Sequence, residues 1–332
     1  MAVFADEIIA WQKLHGRHDL PWQNTTDAYA IWVSEIMLQQ TQVVAVIGYY
    51  AKFMLRFPTI AALAASTQED VLQYWSGLGY YSRARNLHNA AQRIVDEFSG
   101  NFPRSFDDIL SLPGIGRSTA AAISTFAYNQ PMPILDGNVK RVFARYFLIK
   151  GWPGLPIIEK EMWQIALHEN PNNDAAVYTQ GLMDLGATLC IRSRPRCTSC
   201  PLVATCQAYA QQQTQALPTP KPRKTLPERS TTMLLYMNAN EVMLEKRANT
   251  GIWGGLWSFP EVEAMPNNAQ ILPKFTHTFT HFKLHIQPVI IWADKQKGAP
   301  NTLWIGLDEA IDAAIPTPVR KILLNLKTKK AA

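Results

Sequence analysis

The sequence predicts a mostly helical N-terminal domain followed by a smaller α/β domain, and three observations support this prediction. Up to residue 210, apolar residues recur at spacings of three and four, which is the pattern of amphipathic helices. After Ser230, they form short strand-like runs separated by turn residues. Between the two patterns, residues 211–229 are polar, proline-rich and basic, as in a linker. We therefore expect domains at 1–210 and 230–327.

The composition limits the kinds of protein that this chain encodes. Its 332 residues suffice for two domains, and a hydrophobic content of 47% allows each of them a core. No apolar run reaches the roughly 20 residues of a membrane span, and the N-terminal residues predict an amphipathic helix rather than a signal peptide. We expect a cytoplasmic monomer without a membrane partner, associated with the nucleoid if the source is bacterial. The net charge of +6 is compatible with a polyanion as partner.

Glu35 is the first candidate site residue, and it lies in a predicted helix that Thr26 or Asp27 caps. It falls on the apolar stripe of that helix, where a carboxyl group is poorly solvated and keeps its proton at neutral pH. A protonated carboxyl group is what a general acid requires. The alternative is a glutamate at the edge of the stripe that reaches solvent or an ion pair. The stripe consists of Ala28, Ile31, Trp32 and Ile36.

Residues 77–85, GLGYYSRAR, combine a flexible turn with aromatic and basic side chains. Leu78 or Tyr80 has the shape to wedge into a stack of bases. The alternative is the start of an ordinary helix with a packed tyrosine.

A glycine turn at 112–116, LPGIG, lies between the apolar run 106–112 and a helix of small residues at 118–128. Gly114 and Gly116 permit backbone geometry that a side chain would block. The unpaired amides at the start of the following helix favour an anion, so we interpret 106–128 as a helix–hairpin–helix that binds phosphate. An ordinary helix corner is the alternative.

Asp136 precedes another amphipathic helix and is predicted to be its N-cap. The amides and the dipole of that helix would keep the carboxylate ionised. Glu35 and Asp136 would then form a pair with one protonated and one charged member. Such a pair can cleave a glycosidic bond, with an acid on the leaving group and an anion facing the sugar cation.

All four cysteines of the chain lie within 17 residues, at Cys190, Cys197, Cys200 and Cys206. Such clustering predicts a metal site rather than a set of disulfides. Four thiolates can hold one tetrahedral ion or one iron–sulfur cluster. Zinc is the alternative to iron, although zinc ribbons usually contain two CxxC pairs and this loop contains one.

The hairpin, the aspartate about 20 residues after it and the C-x6-C-x2-C-x5-C spacing resemble the helix-hairpin-helix DNA glycosylases that carry a four-iron four-sulfur cluster. The resemblance covers nearly the whole chain. Within that superfamily the chain is similar to the adenine DNA glycosylase (MutY) family, which removes adenine mispaired with 8-oxoguanine. It therefore implies an adenine-specific DNA glycosylase of base excision repair whose partner is duplex DNA with an A:8-oxoguanine or A:G mispair.

Three features indicate this branch of the superfamily. Residues 34–42, SEIMLQQTQ, are similar to the family segment SEVMLQQTQ that supplies the catalytic glutamate. Ser118 occupies the place where related lyases carry a nucleophilic lysine, which implies a glycosylase with at most weak strand cleavage. The C-terminal region resembles a Nudix-like domain that recognises 8-oxoguanine, and Phe279-Thr280-His281 aligns with the family motif FSH. It lacks the glutamate-rich box of Nudix hydrolases, so a pyrophosphatase is not expected.

The resemblance also implies the roles of individual residues. Glu35 would be the general acid and Asp136 the stabiliser of the sugar cation, or its nucleophile. Ser118 and Asn138 would assist them. The remaining substrate- and DNA-binding residues would be Trp22, Gln40, Thr41, Leu78, Tyr80, Gly114, Gly116, Gln180, Phe279, Thr280 and His281.

Two questions stay open from the residues alone. Residues 275–286 predict either one strand or two strands joined by a turn at the Phe279 motif, and helices are expected at 307–314 and 318–326. The alternatives in function are a related iron–sulfur glycosylase for another mismatched base, such as thymine, and a DNA-binding redox protein without catalysis.

Overall fold

The computed structural model describes residues 2–222, 225–267, 269–295 and 300–331. Helices are found throughout the first 210 residues, and the C-terminal part contains eight strands and two helices, so the predicted fold class is confirmed within the described residues. The helices are α1 Ala2–His15, α2 Ala28–Leu38, α3 Val43–Arg56, α4 Ile60–Ala64, α5 Gln68–Trp75, α6 Ser82–Phe98, α7 Phe106–Ser111, α8 Arg117–Tyr128, α9 Gly137–Tyr146, α10 Pro156–His168, α11 Ala175–Thr188, α12 Gln207–Ala210, α13 Leu307–Asp312 and α14 Thr317–Ala331.

The chain divides into two compact units. The first consists of Met1–Met54 and Arg93–Arg223, and the second consists of Leu55–Gln92 and Lys224–Ala332. The units and the predicted domains differ in one respect, because a helical segment from the N-terminal part belongs to the same unit as the C-terminal sheet. The predicted domain bounds stay a prediction, and residues 223 and 224 of the predicted linker lie outside the described residues.

Helix α2 begins at the cap that the sequence predicts, since the Asp27 side chain accepts a hydrogen bond from the Tyr29 amide at 3.0 Å. The apolar stripe of α2 is buried, and most of the other side chains of the helix are buried as well. A helix surrounded by protein on nearly all sides is held rigidly, so a side chain on it has a well-defined position.

The predicted helix–hairpin–helix is present as α7 and α8. Ser105 caps α7, whereas α8 starts at Gly116 without any side-chain cap. Gly114 adopts a φ of 80°, a conformation that glycine reaches without steric cost. The hairpin therefore leads into a helix N-terminus whose N-cap residue, Gly116, supplies no side-chain hydrogen bond to the first amides.

The second unit contains a mixed eight-stranded sheet. The long strands β1 and β7 run parallel at its centre, with Met233 opposite Pro288, and their side chains are largely buried. The other pairings are antiparallel. The strands are β1 Glu228–Asn238, β2 Glu241–Lys246, β3 Trp257–Ser258, β4 Glu261–Val262, β5 Gln270–Ile271, β6 Phe275–Thr278, β7 Lys283–Trp292 and β8 Thr302–Gly306.

The question left open for residues 275–286 is resolved in favour of two strands. β6 and β7 pair through Phe275 and Ile286, and a turn closed by a 2.9 Å hydrogen bond from the Phe279 amide to the Phe282 carbonyl joins them. The motif at 279–281 therefore lies at the tip of a hairpin. The two helices predicted near the C-terminus are present as α13 and α14.

Within the described residues, none of the helices combines the length and the apolar character that crossing a bilayer requires.

Close packing of α9 against α11 generates a test of the fold. A Cβ atom at Gly186 would lie 2.6 Å from the Cβ of Asn138 and 3.0 Å from its carbonyl oxygen. We expect Gly186→Ala to force the helices apart and to lower the free energy of unfolding by about 1–3 kcal/mol. Chemical denaturation measures this loss.

Gly48→Ala is the matched control, because no atom lies within 4 Å of a Cβ placed there. Gly48 is exposed on α3, so alanine should raise the free energy of unfolding by up to about 1 kcal/mol. Equal effects of the two substitutions would contradict the close packing at Gly186.

Candidate active site

A cavity of about 930 Å³ opens in the first unit and brings together residues that are far apart in the sequence. Its wall comes from the connection after α1, from α2, from the starts of α8 and α9, and from α11. Nine of the predicted site residues line it: Trp22, Glu35, Gln40, Thr41, Gly116, Ser118, Asp136, Asn138 and Gln180.

The remaining predicted residues lie elsewhere. Gly114 belongs to the hairpin turn of the first unit but does not line the cavity. The cysteines surround a separate cavity in the same unit. The other five predicted DNA-binding residues belong to the second unit, and these are Leu78, Tyr80, Phe279, Thr280 and His281.

Glu35 points from the last turn of α2 into the cavity. It retains some accessible surface, but protein atoms surround its carboxyl group, and this burial raises its pKa to about 8. The nearby carboxylate of Asp136 adds to the rise. A pKa near 8 leaves Glu35 mostly protonated at neutral pH, as a general acid requires.

Asp136 is the N-cap of α9, as the sequence predicts. Its Oδ1 accepts hydrogen bonds from the amides of Asn138 at 2.9 Å and Val139 at 2.8 Å, and its Oδ2 accepts one from Asn138 Nδ2 at 3.0 Å. These bonds and the charge of Arg141 lower the pKa of Asp136, but burial raises it more, and the net direction is upward. The helix start therefore lowers the pKa of this carboxylate, as the sequence predicts, but the predicted effect does not include the desolvation that acts against it.

The two carboxyl groups nevertheless have different surroundings. Several hydrogen-bond donors face Asp136 and lower its pKa. For Glu35, burial and repulsion by Asp136 raise the pKa, and no lowering contribution comes from the described part of the chain. Since donors favour the charged form, Asp136 is the member of the pair that ionises first and Glu35 is the one that keeps the proton.

Ser118 and Asn138 hold the segment that carries Asp136. The Ser118 hydroxyl accepts a hydrogen bond from the Leu135 amide at 3.2 Å, which ties the start of α8 to the residue before Asp136. Asn138 Oδ1 accepts a bond from Arg141 Nη2 at 2.8 Å, and Arg141 Nε donates to the Cys190 carbonyl at 2.6 Å. A continuous set of hydrogen bonds thus joins Asp136 to the cysteine loop.

Gln180 lies on α11 in the cavity wall, and its amide has a fixed orientation. Its Nε2 donates to Asp184 Oδ1 at 2.9 Å, and the same carboxylate accepts bonds from Arg17 Nε at 2.8 Å and from the Arg17 amide at 2.8 Å. A carboxylate can only accept, so the Gln180 carbonyl oxygen points away from it. Trp22 packs against Tyr50 with ring centroids 5.4 Å apart and closes another part of the wall.

The pair of Arg17 and Asp184 was missed by reasoning from the sequence. The two residues are 167 positions apart, and Asp184 is fully buried while Arg17 lines the cavity. An isolated aspartate on a predicted helix is usually exposed, so its spacing carries no signal of this role.

The four cysteines line one small cavity of about 30 Å³, together with Arg145. Arg145 is 2% exposed, and its Nη1 lies 3.3 Å from Cys190 Sγ. Burial raises the pKa of Cys200 to about 12, so its thiolate form needs a positive partner. Within the described residues, no group of three or more His, Cys, Asp or Glu side chains is arranged to hold a single metal ion. The four thiols around one shared space nevertheless supply the ligand type and number that an iron–sulfur cluster uses.

In the second unit, the predicted wedge residues differ in exposure. Tyr80 is 42% exposed and has a φ of 49°, which an L side chain rarely adopts, whereas Leu78 is 8% exposed. The Gly79 carbonyl, between them, accepts bonds from Trp75 Nε1 at 3.2 Å and Arg83 Nη2 at 3.1 Å. A strained turn that side chains hold in place is common at functional sites, and Tyr80 is its exposed tip.

At the tip of the β6–β7 hairpin, Thr280 and His281 are exposed while Phe279 is half-buried. The Phe279 ring contacts Trp253, with centroids 5.5 Å apart, and stacks on Phe282 at 4.6 Å. The aromatic contacts hold the hairpin, and Thr280 and His281 are exposed at its tip, with Thr280 Oγ1 3.5 Å from His281 Nδ1.

Comparison with known proteins agrees with this architecture. Residues 33–166 match the HhH-GPD superfamily of base excision DNA repair proteins, and residues 231–325 match the NUDIX domain. An adenine DNA glycosylase of Buchnera aphidicola subsp. Acyrthosiphon pisum is 39% identical over 98% of this chain and 98% of its own length. The adenine DNA glycosylase of Mus musculus is 31% identical over 97% of this chain and 77% of its own.

Solved structures give the same result for the helical part. A thermostable thymine-DNA glycosylase matches with a TM-score of 0.58 at 28% identity, over 63% of this chain and 96% of its own. A non-covalent complex of endonuclease III with DNA matches with a TM-score of 0.54 at 22% identity, over 63% of this chain and 94% of that one, which indicates a common fold.

The raised pKa of Glu35 predicts how stability depends on pH. The folded state favours the protonated carboxyl group, so this contribution is complete below the ordinary value of 4.5 and is lost as the pH rises toward 8. We expect Glu35→Gln, which never ionises, to gain stability relative to the unmodified protein over this range, by at most about 1.4 kcal/mol per pH unit. Denaturant titrations between pH 5 and pH 8 measure the gain.

Glu97→Gln serves as the control, because Glu97 lies at the surface and pairs with Arg93. Its stability difference should change little over the same range. A difference for Glu35→Gln that is also independent of pH would contradict the burial of an uncharged acid at this position.

Proposed function

The chain belongs to the adenine DNA glycosylase family, and we propose that it excises adenine that lies opposite 8-oxoguanine or guanine in duplex DNA. The observation that carries this proposal is the meeting of Glu35 and Asp136 in one cavity of about 930 Å³, which is large enough for a purine nucleoside. Because an enzyme cannot reach the bond inside a stacked duplex, adenine must first rotate out of the helix into this cavity.

Glu35 donates its proton to N7 of the flipped adenine. Protonation makes the base a better leaving group, so the bond between C1′ and N9 breaks and positive charge develops on the sugar. Asp136 stabilises this charge as an anion, or forms a transient bond to C1′, before water adds to C1′ and releases a proton. The donors that face Asp136, in addition to the burial that the two carboxyl groups share, support these roles.

Ser118 and Asn138 act next to the acids. Asn138 orients the Asp136 carboxylate through two hydrogen bonds. Ser118 connects the end of the hairpin to Leu135, the residue before Asp136. Because position 118 is a serine, no lysine there attacks the sugar, and the enzyme is monofunctional with at most weak strand cleavage.

Trp22 and Gln180 form the pocket for the base. Because Asp184 occupies the amide nitrogen of Gln180, the carbonyl oxygen of Gln180 is the group available to accept a hydrogen bond from the exocyclic amine of adenine.

On the opposite side of the mispair, Tyr80 and Leu78 fill or wedge the stack beside the lesion, with Gln40 and Thr41. The exposure and strained backbone of Tyr80 support a wedge, whereas the burial of Leu78 supports a role beneath Tyr80 in the same turn. The motif Phe279-Thr280-His281 reads 8-oxoguanine from the tip of its hairpin.

DNA backbone binding falls to the hairpin. Gly114 shapes the turn, and Gly116 leaves the amides of α8 uncapped for a phosphate group. We propose that the enzyme acts as a monomer at the nucleoid or elsewhere in the cytoplasm.

We propose that Cys190, Cys197, Cys200 and Cys206 hold one four-iron four-sulfur cluster. Four thiol ligands leave no open position for a substrate. The cluster would therefore stabilise the loop that carries the cysteines rather than act on the adenine. Arg145 places a buried positive charge beside these ligands, which favours their thiolate forms.

The catalytic assignment predicts that Glu35→Gln binds the A:8-oxoguanine duplex but releases adenine at least about 100-fold more slowly in single turnover, because it cannot donate a proton. Strand sizing after mild alkali measures the release, and a gel-shift assay measures binding. Near-normal release by this variant would refute the assignment.

A panel of duplexes that differ at one base pair distinguishes the possible substrates. We expect release of adenine opposite 8-oxoguanine and guanine, and no release of thymine from a G:T pair. The thymine alternative predicts the reverse, and a DNA-binding protein without catalysis predicts no release from any duplex.

The cluster assignment predicts that the purified protein is brown and that Cys200→Ser loses colour and iron together with DNA affinity, because one ligand is missing. Iron analysis, the visible spectrum and a gel-shift assay check this. Unchanged iron content, or normal DNA binding with a complete loss of excision, would contradict it.

A further inference from the structure

Several hydrogen bonds join the helical segment 55–92 to the C-terminal part of the second unit. Glu69 accepts bonds from Lys246 Nζ at 2.6 Å and from Trp257 Nε1 at 2.5 Å, and Gln73 Nε2 donates to the Asp312 carbonyl at 3.2 Å.

Two further groups of contacts are found in the same unit. The first centres on Ser76, which is 5% exposed. Its hydroxyl donates to the Ile315 carbonyl at 2.7 Å and accepts a bond from Arg320 Nη2 at 2.9 Å. The Tyr81 hydroxyl donates to the same carbonyl at 3.5 Å. A buried hydroxyl with both functions satisfied gives a specific, directional contact.

The second place is the loop 249–255, which connects β2 to β3. Arg85 Nη1 donates to its Gly254 carbonyl at 2.7 Å, and Gln68 Nε2 donates to Asn249 Oδ1 at 3.1 Å. The backbone also approaches α5 closely, because a Cβ atom at Gly255 would lie 3.2 Å from Gln68 and from Leu72. The loop is therefore packed against the helical segment and hydrogen-bonded to it.

Each side of this contact continues to a group that faces DNA in the proposed function. On the helical side, Arg85 lies one turn of α6 after the strained turn that exposes Tyr80. On the sheet side, Trp253 of the loop is 7% exposed and packs on Phe279 and on His277, with centroids 5.5 Å and 5.8 Å apart. An unbroken chain of packed groups thus links Tyr80 to the motif at 279–281.

We propose that Arg85 and the 249–255 loop act as a strut that positions the wedge residue Tyr80 and the lesion-reading motif relative to each other. The inference rests on the proposed function, since it assigns both groups to the same base pair. With the strut intact, Tyr80 and the motif at 279–281 already have the relative positions that DNA binding requires. The binding free energy then does not include the entropic cost of ordering them. Arg85 is a positioning residue here, because it acts through Gly254 and Trp253.

A strut makes a measurable prediction that simple stabilisation does not make. Substitutions of two groups that contact DNA independently have additive effects on the binding free energy. Substitutions of two groups that are held in fixed positions relative to each other do not. Tyr80→Leu alone should already misplace the duplex against the motif, so that adding Phe279→Leu costs little more. The strut therefore predicts coupling between the two substitutions that disappears when the strut is cut.

The test is a double-mutant cycle for DNA affinity in the full-length Glu35→Gln protein, which binds without excising. Affinities for an A:8-oxoguanine duplex are measured for the parent, Tyr80→Leu, Phe279→Leu and the double variant. We expect the DNA affinity of the double variant to be at least about fivefold higher than the value calculated by adding the two single effects. With Arg85→Met added to all four proteins, this factor should fall below about twofold.

Arg93→Met is the matched control, because Arg93 lies on the same helix and also donates to a backbone carbonyl, that of Ser111 at 2.7 Å. Among the described residues it makes no bond to the loop. It should leave the coupling intact. Additive effects in the parent, or equal coupling with and without Arg85, would overturn the proposal.

Two further measurements keep the test decisive. If Arg85→Met does not fold, the cycle is repeated with Gln68→Leu, which removes the hydrogen bond from Gln68 Nε2 to Asn249 Oδ1 in the same loop, and the coupling should again fall. The unmodified enzyme is assayed for adenine release on the same duplex. Absence of release refutes the proposed function, whereas release without coupling refutes the strut alone.

Discussion

The shared burial of Glu35 and Asp136 is the constraint on which the first unit depends. Two carboxyl groups near each other in a poorly solvated cavity cannot both ionise without a large cost, so the protein must decide which of them holds a proton. The amides at the start of α9 donate to Asp136 and stabilise its charged form. The close packing around α2, which carries Glu35, favours the neutral form of that residue.

The surrounding architecture maintains that asymmetry. Arg141 connects Asn138 to the cysteine loop, and it also donates to the Gly186 carbonyl at 2.5 Å. The close approach of α11 at Gly186 holds Asn138 from the other side. Hydrogen bonds from Arg141 therefore connect the cysteine loop, the Asp136–Asn138 segment and α11, so the position of the cysteine loop affects the position of the aspartate.

The second unit carries two exposed features rather than a buried pair of acids. Its sheet carries an exposed polar hairpin tip, and its helical segment carries an exposed tyrosine in a strained turn. Tyr80 has a φ that is unfavourable for an L side chain, and Phe279 of the hairpin packs on the ring of Trp253. Grouping the segment 55–92 with the sheet gives both features a common base, although they are about 200 residues apart in the sequence.

Sequence reasoning identified the parts whose physical causes are local. The cap at Asp27, the glycine hairpin, the N-cap at Asp136 and the cysteine spacing are each set by neighbouring residues, and each is present. By itself, the sequence determined the succession of helices and strands and the stripe that buries Glu35. Only the tertiary structure decided how those parts act together.

Contacts between distant segments account for what the sequence left undetermined. The upward pKa of Asp136 depends on burial by residues far along the chain, and the orientation of Gln180 depends on Arg17 and Asp184. Desolvation and long-range hydrogen bonds are properties of the packed state, and no local pattern encodes them. The sequence therefore indicates the two acids and predicts that Glu35 keeps the proton, but only the fold shows that burial raises the pKa of both groups.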